Sequence, residues 1–261
     1  MLKNYISIAV RNLLKHKVFS IINIAGLAIG IACCTLLALY IKDEFSYEKH
    51  FAQADQIYRI TSTFKTSDGD LHNPRTSPPI AMAVRANLPE VVEATRVVSP
   101  PEVEQHLIQY KDKSFYERKG YLVDSTFFQV FSYDFKEGNA TTALRTASSV
   151  VLSASVAEKL FGQASAIDEL LVITSGSSVD TFRVSGVLQP AKQKSHVDAD
   201  FYMSMNSKGW GQWIGSINTW AGQNFIQSYV LLKEHTSVSE TEKKLATLLE
   251  KMVVRSCAKW A

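Results

Sequence analysis

An uncharged run of 24 residues, Val18–Ile41 (VFSIINIAGLAIGIACCTLLALYI), bounded by Lys17 and Lys42, constrains this chain more than any other stretch. As a helix rising about 1.5 Å per residue it reaches about 36 Å. That length crosses a hydrocarbon core of about 30 Å with room for tilt. Lipid offers the backbone no water, so a single crossing segment must satisfy itself as a helix. The run exceeds the apolar core of a signal peptide, and no A-x-A cleavage pattern follows it. Cys33 after Gly-Ile-Ala loosely resembles a lipoprotein cleavage site, but the apolar TLLALYI follows where a soluble domain would begin. A single-pass membrane helix is expected over 18–41.

Charge orients it. The first 17 residues carry Lys3, Arg11, Lys15 and Lys17 and no acid, whereas KDEFSYEKH after the span mixes both signs. The positive end marks the cytoplasm. The N-terminus is therefore expected inside an inner membrane and residues 42–261 outside the cytoplasm, with Asp43, Glu44 and Glu48 solvating the outer end of the helix. Residues 1–17 place Leu2, Ile6, Ala9, Val10, Leu13 and Leu14 at helical spacing. They are expected to form an amphipathic helix lying flat at the inner leaflet. Within the span, Gly26, Gly30, Cys34 and Ala38 recur every fourth residue and Asn23 lies near them. Such a small-residue face admits a second helix at close range.

The rest of the composition excludes several classes. Of 28 basic residues four lie in the first 17, leaving 24 against 25 acidic ones, which is no footprint for nucleic acid. Two of three cysteines lie inside the span and the third is Cys257, so no disulfide framework supports the outer part. It must be held by a hydrophobic core.

Beyond the span, QIYRITSTFK alternates as a strand over 56–65. TSDGDLHN reads as a turn or loop. A helix follows Pro78-Pro79 to about Leu88. Val91–Ser99 is strand-like, and His106–Tyr110 and Phe115–Val123 flank KDKS as a hairpin. Asp124 or Ser125 caps a short helical turn carrying Phe127, Phe128, Val130 and Phe131. Val150–Leu152 is a strand and Ser153 caps a helix that stops at Gly162. Glu169–Thr174 and Thr181–Leu188 form a second hairpin around SGSS. Ala199–Met205 and Phe225–Lys233 are further strands. Ser237-x-x-Glu240 is a capping box opening a helix to about Val254, with Leu245, Leu248, Leu249 and Met252 on one face. The sum is an α+β chain: one N-terminal transmembrane helix, then a mixed α/β extracytoplasmic domain with several β-hairpins.

Chemistry-bearing motifs are sparse. There is no G-x-x-x-x-G-K-[ST] phosphate loop, no G-x-S-x-G elbow and no H-E-x-x-H pair. No enzymatic activity, catalytic residue or cofactor is expected. His196, Asp198 and Asp200 in KSHVDAD would project to one side of a strand and make a weak metal candidate, against the plainer reading of a polar strand edge. Trp210, Trp213 and Trp220 lie in a Gly-rich segment. They suggest a partner-binding loop, or rings that pin that loop to the domain.

A resemblance runs through these blocks. RNLLKHKVFSIINIAGLAIGIACC (11–34), VVLSASVAEKLFGQASAIDELLVI (150–173), FRVSGVL (182–188), SHVDADFYMSM (195–205) and NTWAGQNFIQSYVLL (218–232) are similar, in order and spacing, to permeases of the MacB/FtsX-like ABC transporter group in their stand-alone form. The resemblance implies an elbow helix over 1–17, a span over 18–41 and a MacB-like periplasmic core domain over 42–261. It implies an ABC ATPase subunit as partner, with ATP bound there rather than on this chain. It further implies a homodimer or permease partner through the membrane helices, and a periplasmic partner or cargo to which ATP-driven motion is passed. Asp168-Glu169 stand where that group usually has Gly-Lys, and Ala199 departs from its apolar-to-Asp pattern. The group's C-terminal membrane helices are absent here, so the chain is expected to be a truncated permease. The alternative from another class is a single-pass, membrane-anchored extracytoplasmic binding or sensing domain. An anchored hydrolase has no motif to support it.

Overall fold

The structure, a computed structural model, describes residues 2–47, 51–67, 69–190 and 195–257, in two compact units, Met1–Tyr47 and Glu48–Ala261. The first unit is two helices, α1 (Leu2–Lys15) and α2 (Lys17–Ser46). They are separated at His16, whose φ of −110° and ψ of 55° leave the helical region. The Ser20 hydroxyl donates to Leu13 O at 3.0 Å across this break. Thirty residues make α2 about 45 Å long. Its apolar side chains face outward all round, with Phe19, Ile29 and Leu36 each more than half exposed. A helix apolar on every face and covered by no protein suits a membrane, and α2 is long and apolar enough to cross one.

The second unit is built on a large sheet. Its strands are β1 (Ile57–Ile60), β4 (Val91–Val98), β5 (His106–Tyr110), β6 (Lys113–Glu117), β7 (Gly120–Val123), β8 (Phe135–Gly138), β9 (Ser149–Leu152), β10 (Leu170–Ser175), β11 (Ser178–Leu188), β12 (Phe201–Ser204) and β13 (Gln227–Leu232). A separate hairpin pairs β2 (Ser62–Thr66) with β3 (Gly69–Asn73). The helices are α3 (Ile80–Asn87), α4 (Phe127–Val130), α5 (Ala154–Phe161), α6 (Trp210–Ser216) and α7 (Val238–Cys257). The order across the main sheet is β1-β13-β4-β7-β12-β9-β11-β10-β5-β6, with β8 added on β11. Only β7–β12 and β9–β11 pair in parallel among the described strands.

The central strands are buried on both faces, as strands covered on two sides must be. Successive side chains point to opposite faces. Thus Val150 and Leu152 of β9 join a core with Val156 and Leu160 of α5, while Val151 joins Phe127, Phe131 and Tyr202 on the other side. Each fully buried Leu, Ile or Phe contributes about 1.5–3 kcal/mol relative to leaving it in water. A third cluster packs α3 and α7 on β1, β4 and β13 through Ile80, Val84, Val230 and Leu245. Ser153 accepts from Val156 N at the start of α5, and Gly162, at φ 64°, ends it.

Three expectations need correction, and one strand, β8, escapes them. QIYRITSTFK is not one strand but divides at Thr61 into β1, paired with β13, and β2, paired with β3 in a separate sheet. TSDGDLHN turns at Ser67, but the rest is not a loop: it supplies β3, whose only apolar side chain, Leu71, is 60% exposed. A strand held by its hydrogen-bond ladder and a Thr63–His72 side-chain bond at 3.0 Å has no hydrophobic alternation to show. The run 115–123 divides at Arg118–Lys119, where the chain leaves antiparallel pairing with β5 for parallel pairing with β12. β8, short and polar on its outer positions, has no sequence signal of its own.

Candidate functional site

The Gly-Trp segment forms a helix, and its glycines explain how. Gly209 precedes α6 with φ 60°, and a Cβ there would collide with Ser178 Oγ and the Asp180 carboxylate. A Cβ on Gly211 would meet Met205 O. Only glycine lets the two backbones approach this closely, and the side chain between them, Trp210, is thereby pressed onto the core. Its indole N–H donates to Ser175 O at 3.0 Å. Trp213, one turn on, is 42% exposed. It stacks on Phe225 at 5.4 Å and 20° and meets Trp210 edge-on at 5.3 Å and 84°. An open cleft of about 580 Å³ lies between these rings, the β10–β11 turn at Ser177–Ser178, and Pro101–Glu102. Glu102 adopts a left-handed φ of 61°. At the cleft floor the Ser178 hydroxyl donates to Asp180 Oδ2 at 2.6 Å. Trp220 lies elsewhere, packed against the cluster of α3 and α7. The three tryptophans therefore have three different settings: one pins, one is presented, one belongs to another core.

His196, Asp198 and Asp200 do not share a strand face. They lie in the turn before β12, not on a strand, so the period-2 argument fails for them. Each bonds within the domain. Asp198 Oδ1 accepts from Tyr133 Oη at 2.8 Å and Oδ2 from Ser195 N at 2.7 Å. Asp200 Oδ2 accepts from Lys119 N at 3.3 Å, and burial raises its pKa with Glu117 adding to the effect. His196 Nε2 bonds the Tyr229 hydroxyl, which itself donates to Gln227 Oε1 at 2.9 Å. Burial lowers the His196 pKa against the opposing pull of Asp198. Burial likewise raises the pKa of Tyr133 and Tyr229. Among the described residues no three His, Cys, Asp or Glu side chains form a group able to hold a metal.

On α2, Gly26, Gly30, Cys34 and Ala38 are all exposed, and no atom lies within 4 Å of a Cβ built on either glycine. Two polar arrangements that no motif marks lie inside the domain. Arg96 Nε and Nη2 donate to the two oxygens of Asp124 at 2.9 and 2.8 Å, and Nη1 donates to Pro78 O at 3.2 Å. Burial works against the Arg96 charge, but the Asp124 carboxylate outweighs it and raises the pKa. His106, fully buried on β5, bonds Ser175 Oγ through Nδ1 at 2.6 Å and stands edge-on to Phe201 at 5.2 Å. Burial lowers its pKa to about 4. Nothing in the sequence around Arg96 or His106 distinguishes them from surface charges, because their partners are 28 and 69 residues away.

No curated protein sequence matches the chain significantly. Among solved structures, a domain of a permease protein from Porphyromonas gingivalis is similar at 21% identity with a TM-score of 0.62, covering 78% of this chain and 84% of that one. This likeness shows the same fold. The periplasmic region of MacB from Actinobacillus actinomycetemcomitans aligns at 16% identity and TM-score 0.47, over 68% of this chain and 74% of that one. The extracellular domain of the noncanonic ABC-type transporter YknZ from Gram-positive bacteria aligns at 16% and 0.44, over 75% and 91%. The family model described as the MacB-like periplasmic core domain matches residues 20–248, which is most of the chain. With apolar α2, the two-faced sheet and this match together, the chain belongs to the MacB-like periplasmic core domain family of ABC-type transporter permeases.

Proposed function

We propose that this chain is a permease subunit of an ABC-type exporter or mechanotransmission complex. ATP is bound and hydrolysed on a separate ATPase subunit, and this chain carries no catalysis of its own. The sheet domain lies outside the cytoplasm and passes movement of the membrane helices to cargo or to a periplasmic partner. The observation that carries the reading is the extent of the family match, which begins inside α2 and ends inside α7. The basic, acid-free first 17 residues support an N-terminus held at the cytoplasmic face. In this reading α1 lies along the inner leaflet, and the Gly26–Gly30–Cys34–Ala38 face meets a second copy or a permease partner.

The test is to purify the tagged full chain in mild detergent from its own cells and identify what accompanies it. An ABC ATPase subunit in stoichiometric amount is expected. A strictly monomeric, partner-free product would overturn the proposal. Protease added to spheroplasts is expected to digest the sheet domain and spare the segment around Arg11 and Lys15; the reverse pattern would invert the topology.

A further inference from the structure

The cleft beside α6 holds chemistry that a relay of movement does not by itself require. An indole face, Trp213, is presented to solvent at 42% exposure while its back is held by Phe225 and its edge by Trp210. Trp210 is in turn fixed by its bond to Ser175 O. The platform is thus rigid before anything binds, which reduces the ordering cost of an association. Glu102, exposed and at a left-handed φ of 61°, lines the same open cleft of about 580 Å³. Glu104, two residues on, is exposed as well. Asp180 stands behind the lining, against Ser178 and Gly209. Lys208, next to Gly209, is the adjacent opposing charge. Among the residues that line the cleft, the one charge is the Glu102 carboxylate.

An aromatic face that shares a cleft with a carboxylate is complementary to one side chain above others. A guanidinium is planar, stacks on indole, and donates in a fork that matches a carboxylate. The geometry points to the Trp213–Glu102 cleft as a docking site for an arginine carried on an extended segment of a partner protein, the guanidinium stacked on Trp213 and paired with Glu102. An ammonium fits less well, because it is a strongly hydrated point charge without a face to stack. The openness of the cleft suits a chain passing through rather than an enclosed small molecule. This assignment rests on the proposed relay role only in naming the occupant as part of a partner.

The experiment uses the full chain in nonionic detergent at 150 mM salt and a fluorescein-labelled hexapeptide, Gly-Ser-Arg-Leu-Ser-Gly, read by fluorescence anisotropy. Saturable binding is expected, weakened about threefold or more with lysine in place of arginine and lost with citrulline, which keeps the shape without the charge. Trp213→Ala is expected to weaken binding about tenfold, and Glu102→Gln, a change at an exposed position, about threefold to tenfold. An unchanged circular dichroism melt for Glu102→Gln separates lost binding from lost folding. Equal binding of the arginine and citrulline peptides, or full affinity in both variants, would sink the assignment. So would a shift of tryptophan fluorescence with N-acetylglucosamine oligomers in the absence of peptide binding, which would give the cleft to a carbohydrate. Failure here with the ATPase still co-purifying removes the docking site and leaves the permease reading in place.

Discussion

The apolar helix α2 and the central strands of the sheet domain use the same side chains in opposite ways. Ile29 and Leu36 of α2 are 64% and 67% exposed, whereas Ile173 of β10 and Leu152 of β9 are 1% and 0% exposed. The difference lies in the solvent each region is built for. Lipid is as apolar as leucine, so α2 gains nothing by hiding its side chains, and its backbone is satisfied within four residues. The sheet domain faces water. Its apolar groups must find one another across the chain, and its backbone bonds join strands far apart in sequence, such as β4 with β13.

If that contrast is right, the largest loss comes from uncovering a charge inside the sheet domain. Asp124→Ala leaves Arg96 buried without its carboxylate and is expected to cost about 3–5 kcal/mol in urea unfolding. A midpoint close to wild type would mean water reaches the pair. The matching change in α2 is Ile29→Asp, expected to cost about 2.5–3.5 kcal/mol of membrane insertion. It should lower the membrane-integrated fraction while leaving the melting of the sheet domain unchanged. A shift in that melting would break the separation between the regions.

A smaller effect is tied to pH. His106 is held neutral in the folded domain, with a pKa of about 4 against 6.5 in an ordinary setting. Its contribution is complete above pH 6.5 and is lost as pH falls toward 4, because only the unfolded chain takes up the proton in that window. The loss by pH 4.5 is about 2–3 kcal/mol. Unfolding midpoints at pH 7 and 4.5 measure it, and His106→Phe is expected to flatten the slope whatever it does at pH 7. The smallest effect has the opposite sign. Asp168 adopts a left-handed φ of 67°. Asp168→Gly relieves a left-handed backbone and is expected to gain up to about 1 kcal/mol.

That last residue shows what kind of information a sequence holds. The left-handed backbone at Asp168 is visible only in the structure, because an Asp-Glu pair in a sequence does not say which φ it adopts. Much else was legible for local reasons. The helix after Pro79, the Ser153 cap with its Gly162 stop, and the hairpin now seen as β10 and β11 each depend on residues within a few positions of one another. The short aromatic turn Phe127–Phe131 reads as core in both, and its rings do gather, Phe127 lying 5.1 Å from both Phe131 and Tyr202. The elements that escaped were those without a hydrophobic rhythm: β3, β8 and the turn carrying His196, Asp198 and Asp200.

The cleft was half legible. A Gly-Trp segment is conspicuous, so Trp210 and Trp213 could be singled out. Which ring would be pinned and which presented depended on whether an indole N–H found Ser175 O, 35 residues away. Glu102 carried no signal, because a single acid after two prolines looks like any solvated turn.

The sequence alone therefore determined the long apolar helix, the absence of nucleotide and protease motifs, and the family, since each is written in contiguous residues or in the order of short blocks. Tertiary structure decided the strand order, the pairing of Arg96 with Asp124, the burial of His106 and the meeting of Trp213 and Glu102 in one cleft. These are contacts between segments that the chain brings together only when water drives the apolar faces of the sheet inward. No local pattern encodes which distant partner arrives.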